Sequence, residues 1–157
     1  MSVRELTLED IPRCAELLAA LPEWFGFPDV NDAYIESLGR LPSFVSEVDG
    51  RVVGFIALER YGEVSAEIQV MAVERERHRQ GIGRAMVDRA RTWCRDNKVR
   101  WLHVKTRGPS TPDSNYERTR LFYLAEGFDP LYESRTELGP TNAALVLVQA
   151  VRSPDAP

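Results

Sequence analysis

The chain has 157 residues, 43% hydrophobic and 28% charged, which is enough for one domain with a real core and too little for two of ordinary size. A formal net charge of −4 argues against a nucleic-acid binder held by phosphate contacts, since such a protein carries a basic excess. Cys14 and Cys94 lie far apart and in no metal-ligand spacing, so they read as reduced, buried thiols, and no apolar run approaches membrane-spanning length. The charged start "MSVRELTLED" lacks the apolar stretch of a signal peptide, and the expected location is the cytoplasm.

In chain order, "VRELTL" reads as a short strand, followed by a helix over Glu9 to Leu21 with Pro12 in its first turn. "LPEWFGFPDVN" is a loop dense in aromatics, and "DAYIESL" is a second helix. "SFVSEVDGRVVGFIALER" is a hairpin turning at Asp49-Gly50. "VSAEIQVMAV" alternates, with Glu67, Gln69, Met71 and Val73 on one face and Ile68, Val70 and Ala72 on the other. Ile82, Met86, Ala90, Trp93 and Cys94 then recur at helical spacing as far as Asn97. "RWLHVKT" is a strand, and Ser114 with Glu117 forms a capping box for the helix "NYERTRLFYLAE", which Gly127 stops. "DPLYESRTEL" and "AALVLVQAV" are closing strands. The expected organisation is one domain over residues 1–150 and a polar tail over 151–157.

The stretch "ERHRQGIGRAM" sets Gly81 and Gly83 where a strand gives way to a helix. A helix start has unpaired N–H groups and about half a positive charge, so Gly81, Ile82, Gly83 and Arg84, with Arg79 and Gln80 beside them, can cradle a pyrophosphate. The Rossmann fingerprint fails, because Met86 stands where Gly or Ala is needed, and the P-loop fails for want of Gly-Lys-Ser/Thr. A tight turn with no ligand is the plain alternative.

"VMAVERERHRQGIGRAMV" resembles the acyl-CoA-binding motif of the GNAT superfamily of N-acetyltransferases, and "RLFYLAEGF" is similar to that family's later helix. The resemblance implies an α/β fold with a mixed, mostly antiparallel sheet flanked by helices. It also implies acetyl-CoA as acyl donor substrate, no metal, and transfer to a primary amine of a small molecule or peptide by direct attack in a ternary complex. It makes Met71 N–H the donor to the thioester oxygen, and pairs Met71 and Val73 with pantetheine. His78 departs from the pattern, which has Gln or Arg there, and the positive charge moves to Arg79. Tyr116 stands where the family often has Asn, seven residues before Tyr123. That spacing keeps it on the face of Tyr123 and makes it a cofactor-side residue, while Asn115 is turned away by about 80°.

An amine nucleophile with a reference pKa of about 10.4 must lose a proton before it attacks. Glu67 matches the general base of the histone-acetylating branch of the family. Four strand residues separate it from Met71, about 13 Å, so the proton would pass through water unless a bulge shortens the path. Tyr123 is the candidate acid toward the leaving thiolate. Without the resemblance, Glu67 is a polar residue on a solvated strand face and Tyr123 a core aromatic. His78 and His103 read as structural. Trp24, Phe25, Phe27 and Gln69 are candidates for the acceptor pocket, and Glu23 and Asp29 could attract a cationic amine. The expected partner is the amine acceptor, with neither nucleic acid nor membrane, and a homodimer is compatible with the reading. The alternative function is a non-catalytic acyl-CoA-binding sensor or scaffold.

Overall fold

A computed structural model describes residues 1–135 and 143–151. The last three residues of the first expected closing strand, 136–138, and residues 152–157 of the expected tail lie outside the described residues. The described residues hold seven strands and four α-helices, a mixed α/β fold, and no helix among them is long and apolar enough to cross a membrane. Contacts gather the chain into two compact units, Met1–Glu59 with Ile68–Trp93, and Arg60–Glu67 with Cys94–Pro157.

The strands β1 (Ser2–Glu5), β2 (Ser43–Val48), β3 (Arg51–Tyr61) and β4 (Ser65–Val73) are hydrogen-bonded in that order, and all but the last two residues of β3 and the first three of β4 belong to the first unit. β2 and β3 form the expected hairpin. Asp49 (φ +51°) and Gly50 (φ +75°) are both left-handed, as a tight turn between twisted strands requires. The first helix is shorter than its apolar spacing suggested. Leu8–Asp10 is a 3₁₀ turn, and α1 runs Ile11–Ala19 with Pro12 in its opening turn. The carboxylate of Asp10 explains the tight start, since it accepts from Thr7 N at 2.8 Å and from both Arg4 guanidinium nitrogens at 2.7 and 3.0 Å.

The second helix, α2 (Pro28–Ser37), begins earlier than expected because Pro28, with no N–H to satisfy, suits a first helical turn. α1 contributes Cys14, Leu17 and Leu18 to a core with Leu21, Leu38, Val45, Phe55, Ala57, Val70 and Ala72. α3 (Ile82–Asp96) buries Ile82, Met86, Val87 and Ala90. Gly54 permits this packing, because a Cβ there would meet the Ala72 carbonyl at 3.0 Å and the Met86 methyl at 3.2 Å. Cys14 and Cys94 are free and buried.

In the second unit β5 (Trp101–Arg107), β7 (Ala144–Ala150) and β6 (Asp129–Ser134) pair antiparallel in the order β5-β7-β6. Leu102, Val104 and Thr106 are buried, and His103, Lys105 and Arg107 between them are half-buried. The register of β6 slips between Pro130 and Tyr132, where proline has no N–H to give the ladder. α4 (Ser114–Ala125) ends as expected. Gly127 takes φ +85°, the N–H of Phe128 returns to the Tyr123 carbonyl at 3.0 Å, and Phe128 is buried. Its start is corrected: Asp113, not Ser114, is the cap, accepting from Asn115 N at 2.9 Å and Tyr116 N at 3.2 Å. Arg107 favours this choice by holding the Asp113 carboxylate at 3.3 Å.

Candidate active site

The glycine turn belongs to the first unit. After β4 the chain makes a 3₁₀ turn (Arg75–Arg77), passes His78, and enters α3 at Ile82. Arg79 (φ +64°) and Gly81 (φ +82°) are both left-handed. For Gly81 this costs little, whereas for Arg79 it is strain of the sort found at ligand-binding turns. The first helical bond runs from Ala85 N to Gly81 O at 3.0 Å, so the N–H groups of Ile82, Gly83 and Arg84 have no carbonyl in a preceding turn to reach. Arg79, Gln80, Gly81 and Arg84 are exposed around them, while Ile82 anchors the turn in the core. This is an anion-accepting arrangement made of backbone, helix dipole and two exposed cations. The Gln80 side chain does not join it, because its amide donates to the Glu76 carbonyl at 2.9 Å.

Met71 and Val73 are half-buried on β4, and Val70 and Ala72 beside them are buried. The Val73 carbonyl accepts from His78 Nε2 at 2.8 Å. A ligand chain pairing with that carbonyl would therefore share it with the imidazole.

The aromatic loop lies in the same unit. Trp24 and Phe25 pack partly against the α1–α2 core, and the Phe25 ring meets Tyr34 edge-on at 6.5 Å. Phe27 is 63% exposed, available to a ligand and not part of the core. The His78 ring lies edge-on to Trp24 at 5.8 Å, and the Arg75 guanidinium sits 5.9 Å from the Trp24 ring centre. Arg75 also holds both Glu23 oxygens, at 2.7 and 2.8 Å, which keeps that carboxyl below its ordinary pKa. Glu23 is thus committed to an internal cation. Gln69 accepts from Ser37 Oγ at 3.0 Å and donates to Glu59 at 3.2 Å.

The second unit carries the two titratable candidates. Tyr123 lies on α4, 4% exposed, between the rings of Phe122 (5.1 Å) and Phe128 (5.4 Å). Burial pushes its pKa above the ordinary phenol value, so it stays protonated at neutral pH. Glu67 departs from the solvated face expected of it. It is 8% exposed, and the Lys105 ammonium stands 4.0 Å from its carboxylate. Tyr116 is half-buried in the first turn of α4 with the Arg107 guanidinium over its ring at 4.8 Å. His103 packs against Tyr61 at 5.7 Å, and burial, followed by the charge of Lys105, lowers its pKa. Among the described residues no group of three or more His, Cys, Asp or Glu is placed to hold a metal ion.

Sequence reasoning missed Lys105, Arg107 and Asp113 as partners of the candidate residues. The Pro112-Asp113-Ser114 run did hold a signal for Asp113, since two good caps compete there and only one has a cation six residues upstream.

A strand running into a turn with Arg79 and Gly81 left-handed, followed by the exposed start of a helix, is in an α/β chain an arrangement that can accept an anion. The sequence model of the acetyltransferase (GNAT) domain matches residues 40–130, more than half of the chain, and the chain belongs to the GNAT family of acetyltransferases. No curated protein matches the sequence. Solved structures share the fold. A structure assigned to the GNAT family from Desulfovibrio desulfuricans is 17% identical with TM-score 0.83, the alignment covering 96% of this chain and 99% of that one. The ribosomal-protein-S18-alanine N-acetyltransferase from Escherichia coli is 20% identical with TM-score 0.76, over 99% and 98%. An aminoglycoside 6′-N-acetyltransferase complexed with coenzyme A is 15% identical with TM-score 0.80, over 99% and 100%.

Proposed function

We propose that the chain moves the acetyl group of acetyl-CoA onto a primary amine of a small molecule or peptide, by direct attack within a ternary complex. The observation that carries this reading is the glycine turn, where Arg79 and Gly81 are both left-handed and expose a helix start to an anion inside a GNAT-family chain. The pyrophosphate of the cofactor would rest on the backbone N–H groups of Gly81, Ile82, Gly83 and Arg84, with Arg79 and Arg84 adding charge and Gln80 contributing backbone only. Met71 N–H would polarise the thioester carbonyl, a contribution of about 3 kcal/mol for one donor of this kind. Pantetheine would pair with Met71 and Val73, and Tyr116 would border it.

In this reading Glu67 accepts the proton of the attacking amine. The Lys105 ammonium stands 4.0 Å from that carboxylate and is a charged group beside it. Tyr123 serves the leaving thiolate. Its raised pKa makes full transfer to a thiolate of pKa about 8.5 uphill, so the phenol acts by donating a hydrogen bond to sulfur as the C–S bond breaks. Trp24, Phe25, Phe27 and Gln69 would border the acceptor. With Glu23 held by Arg75, the pull of that carboxylate on a cationic amine is lost. A single GNAT-like domain over residues 1–150, acting in the cytoplasm, completes the proposal, and a homodimer fits it.

Calorimetric titration with acetyl-CoA, and with adenosine, which carries no phosphate, as a control tests the reading. Saturable binding of acetyl-CoA that raises the melting temperature supports it. Adenosine binding as tightly as acetyl-CoA, or no binding of either, defeats the pyrophosphate cradle.

A further inference from the structure

Between β4 and the glycine turn lies a short segment whose side chains reach the aromatic loop. Arg75 takes both oxygens of Glu23, lies 3.4 Å from the Ala20 carbonyl and stands over the Trp24 ring at 5.9 Å. His78, three residues on, donates to the Val73 carbonyl from one ring nitrogen and sets its ring edge-on to Trp24. Since a carbonyl only accepts, Nε2 carries the proton, and that bond fixes the plane of the ring against the tryptophan. One end of the linkage is therefore fastened to the end of β4 and the segment entering the turn. The other end is fastened to residues 20–24, a segment whose own backbone is turned by Trp24 N and Phe25 N donating to the Leu21 carbonyl at 3.1 and 2.9 Å.

Arg79 follows His78 directly, and its left-handed backbone holds the turn in a strained setting. His78 is thus the first residue that a change in that backbone would move, and Trp24 is the ring it bears on. The other charged groups of the cluster do not dilute the linkage: Glu74 is held by Arg13 at 2.7 Å and Arg51 at 2.6 Å, away from Glu23.

We infer that Arg75 and His78 are positioning residues that couple occupancy of the glycine turn to the Trp24 loop, so that cofactor binding sets the shape offered to the acceptor. The inference rests on the cofactor reading above and deepens it. Two sites joined by a shared element that both bias are coupled reciprocally, so acceptor binding in turn tightens the cofactor. Neither residue touches the reacting atoms. Their substitution alters how the acceptor is received and leaves the anion contacts in place.

Hydrogen–deuterium exchange with coenzyme A as the probe tests this. In the wild-type chain coenzyme A is expected to slow exchange both at residues 81–85 and at residues 21–27, the latter by roughly 5- to 10-fold, the range of a modest coupling. In Arg75→Gln and His78→Ala the slowing at 81–85 is expected to persist and that at 21–27 to disappear. The double variant Glu23→Gln with Trp24→Leu breaks both arms of the link from the loop side without touching the turn, and keeps the test decisive if an Arg75 or His78 variant fails to fold. Protection at 81–85 with none at 21–27 in the wild type overturns the coupling alone. Protection at 21–27 that survives in that double variant and the other folded variants also overturns it. Absence of protection at 81–85 in the wild type overturns the cofactor reading, and the coupling with it.

Discussion

His78 Nε2 lies 2.8 Å from the carbonyl of Val73, so the residue that replaces the family's Gln or Arg is engaged with the strand end and not with the turn's anion site. Cofactor binding then depends little on this side chain. His78→Ala is expected to lower stability by about 1 kcal/mol, the worth of one hydrogen bond, and to change the Kd for coenzyme A by less than about threefold. Thermal melting and calorimetry on the same sample check both halves.

Gly81 behaves differently. Its φ of +82° strains any other residue, although no atom lies within 4 Å of where a Cβ would stand. Gly81→Ala should cost about 1 kcal/mol of stability from the backbone alone, and, if the proposed cradle holds the phosphate, a larger loss of coenzyme A affinity, because the added methyl enters the space that cradle leaves for it. A titration that shows affinity unchanged alongside the lowered melting temperature would reduce Gly81 to a turn residue.

Tyr123→Phe keeps both ring contacts, with Phe122 and Phe128, and removes only the hydroxyl. The expected result is a normal melting temperature, an unchanged KM for acetyl-CoA, and kcat lowered by about 10²-fold or more, the usual scale for a lost hydrogen-bond donor to charge that develops in the transition state. The pH dependence has a definite sign. Burial raises the folded pKa of Tyr123, so its contribution to stability is present below about pH 10 and is lost as pH rises beyond that. The Phe variant should lack that part of the alkaline loss in pH-dependent melts.

Asp10 gives the acid counterpart. Chiefly through its hydrogen bonds from Arg4, its carboxyl is held at about 2. A depressed pKa means stability that is present above about pH 4 and lost as pH falls toward 2. With Arg4 partly exposed and screened, the effect is about 1–2 kcal/mol. Asp10→Asn should be less stable at pH 7 and flatter between pH 5 and 2 in denaturant titrations.

Much of this architecture was legible from local pattern. The Asp49-Gly50 turn, the alternation of β4 and the Gly127-Phe128 helix stop each follow from backbone rules that act within a few residues. What escaped depended on partners distant in sequence. Arg75 claims Glu23 across 52 positions, and Lys105 lies beside Glu67, a residue whose burial alternation alone could not foresee. Asp113 prevailed over Ser114 as a cap because Arg107, on the preceding strand, supplies a charge that a capping pattern does not weigh. Gln80 looked free for an anion and is bonded to its own turn.

The most direct test of acetyl transfer is an amine panel incubated with acetyl-CoA, with free thiol followed in time and acetylated product identified by mass. Acetyl transfer by this site predicts thiol release matched by N-acetyl product for at least one amine, and a fall of about 10²-fold in that rate for Tyr123→Phe. Saturable acetyl-CoA binding with no product from any amine would contradict it and mark the chain as an acyl-CoA sensor.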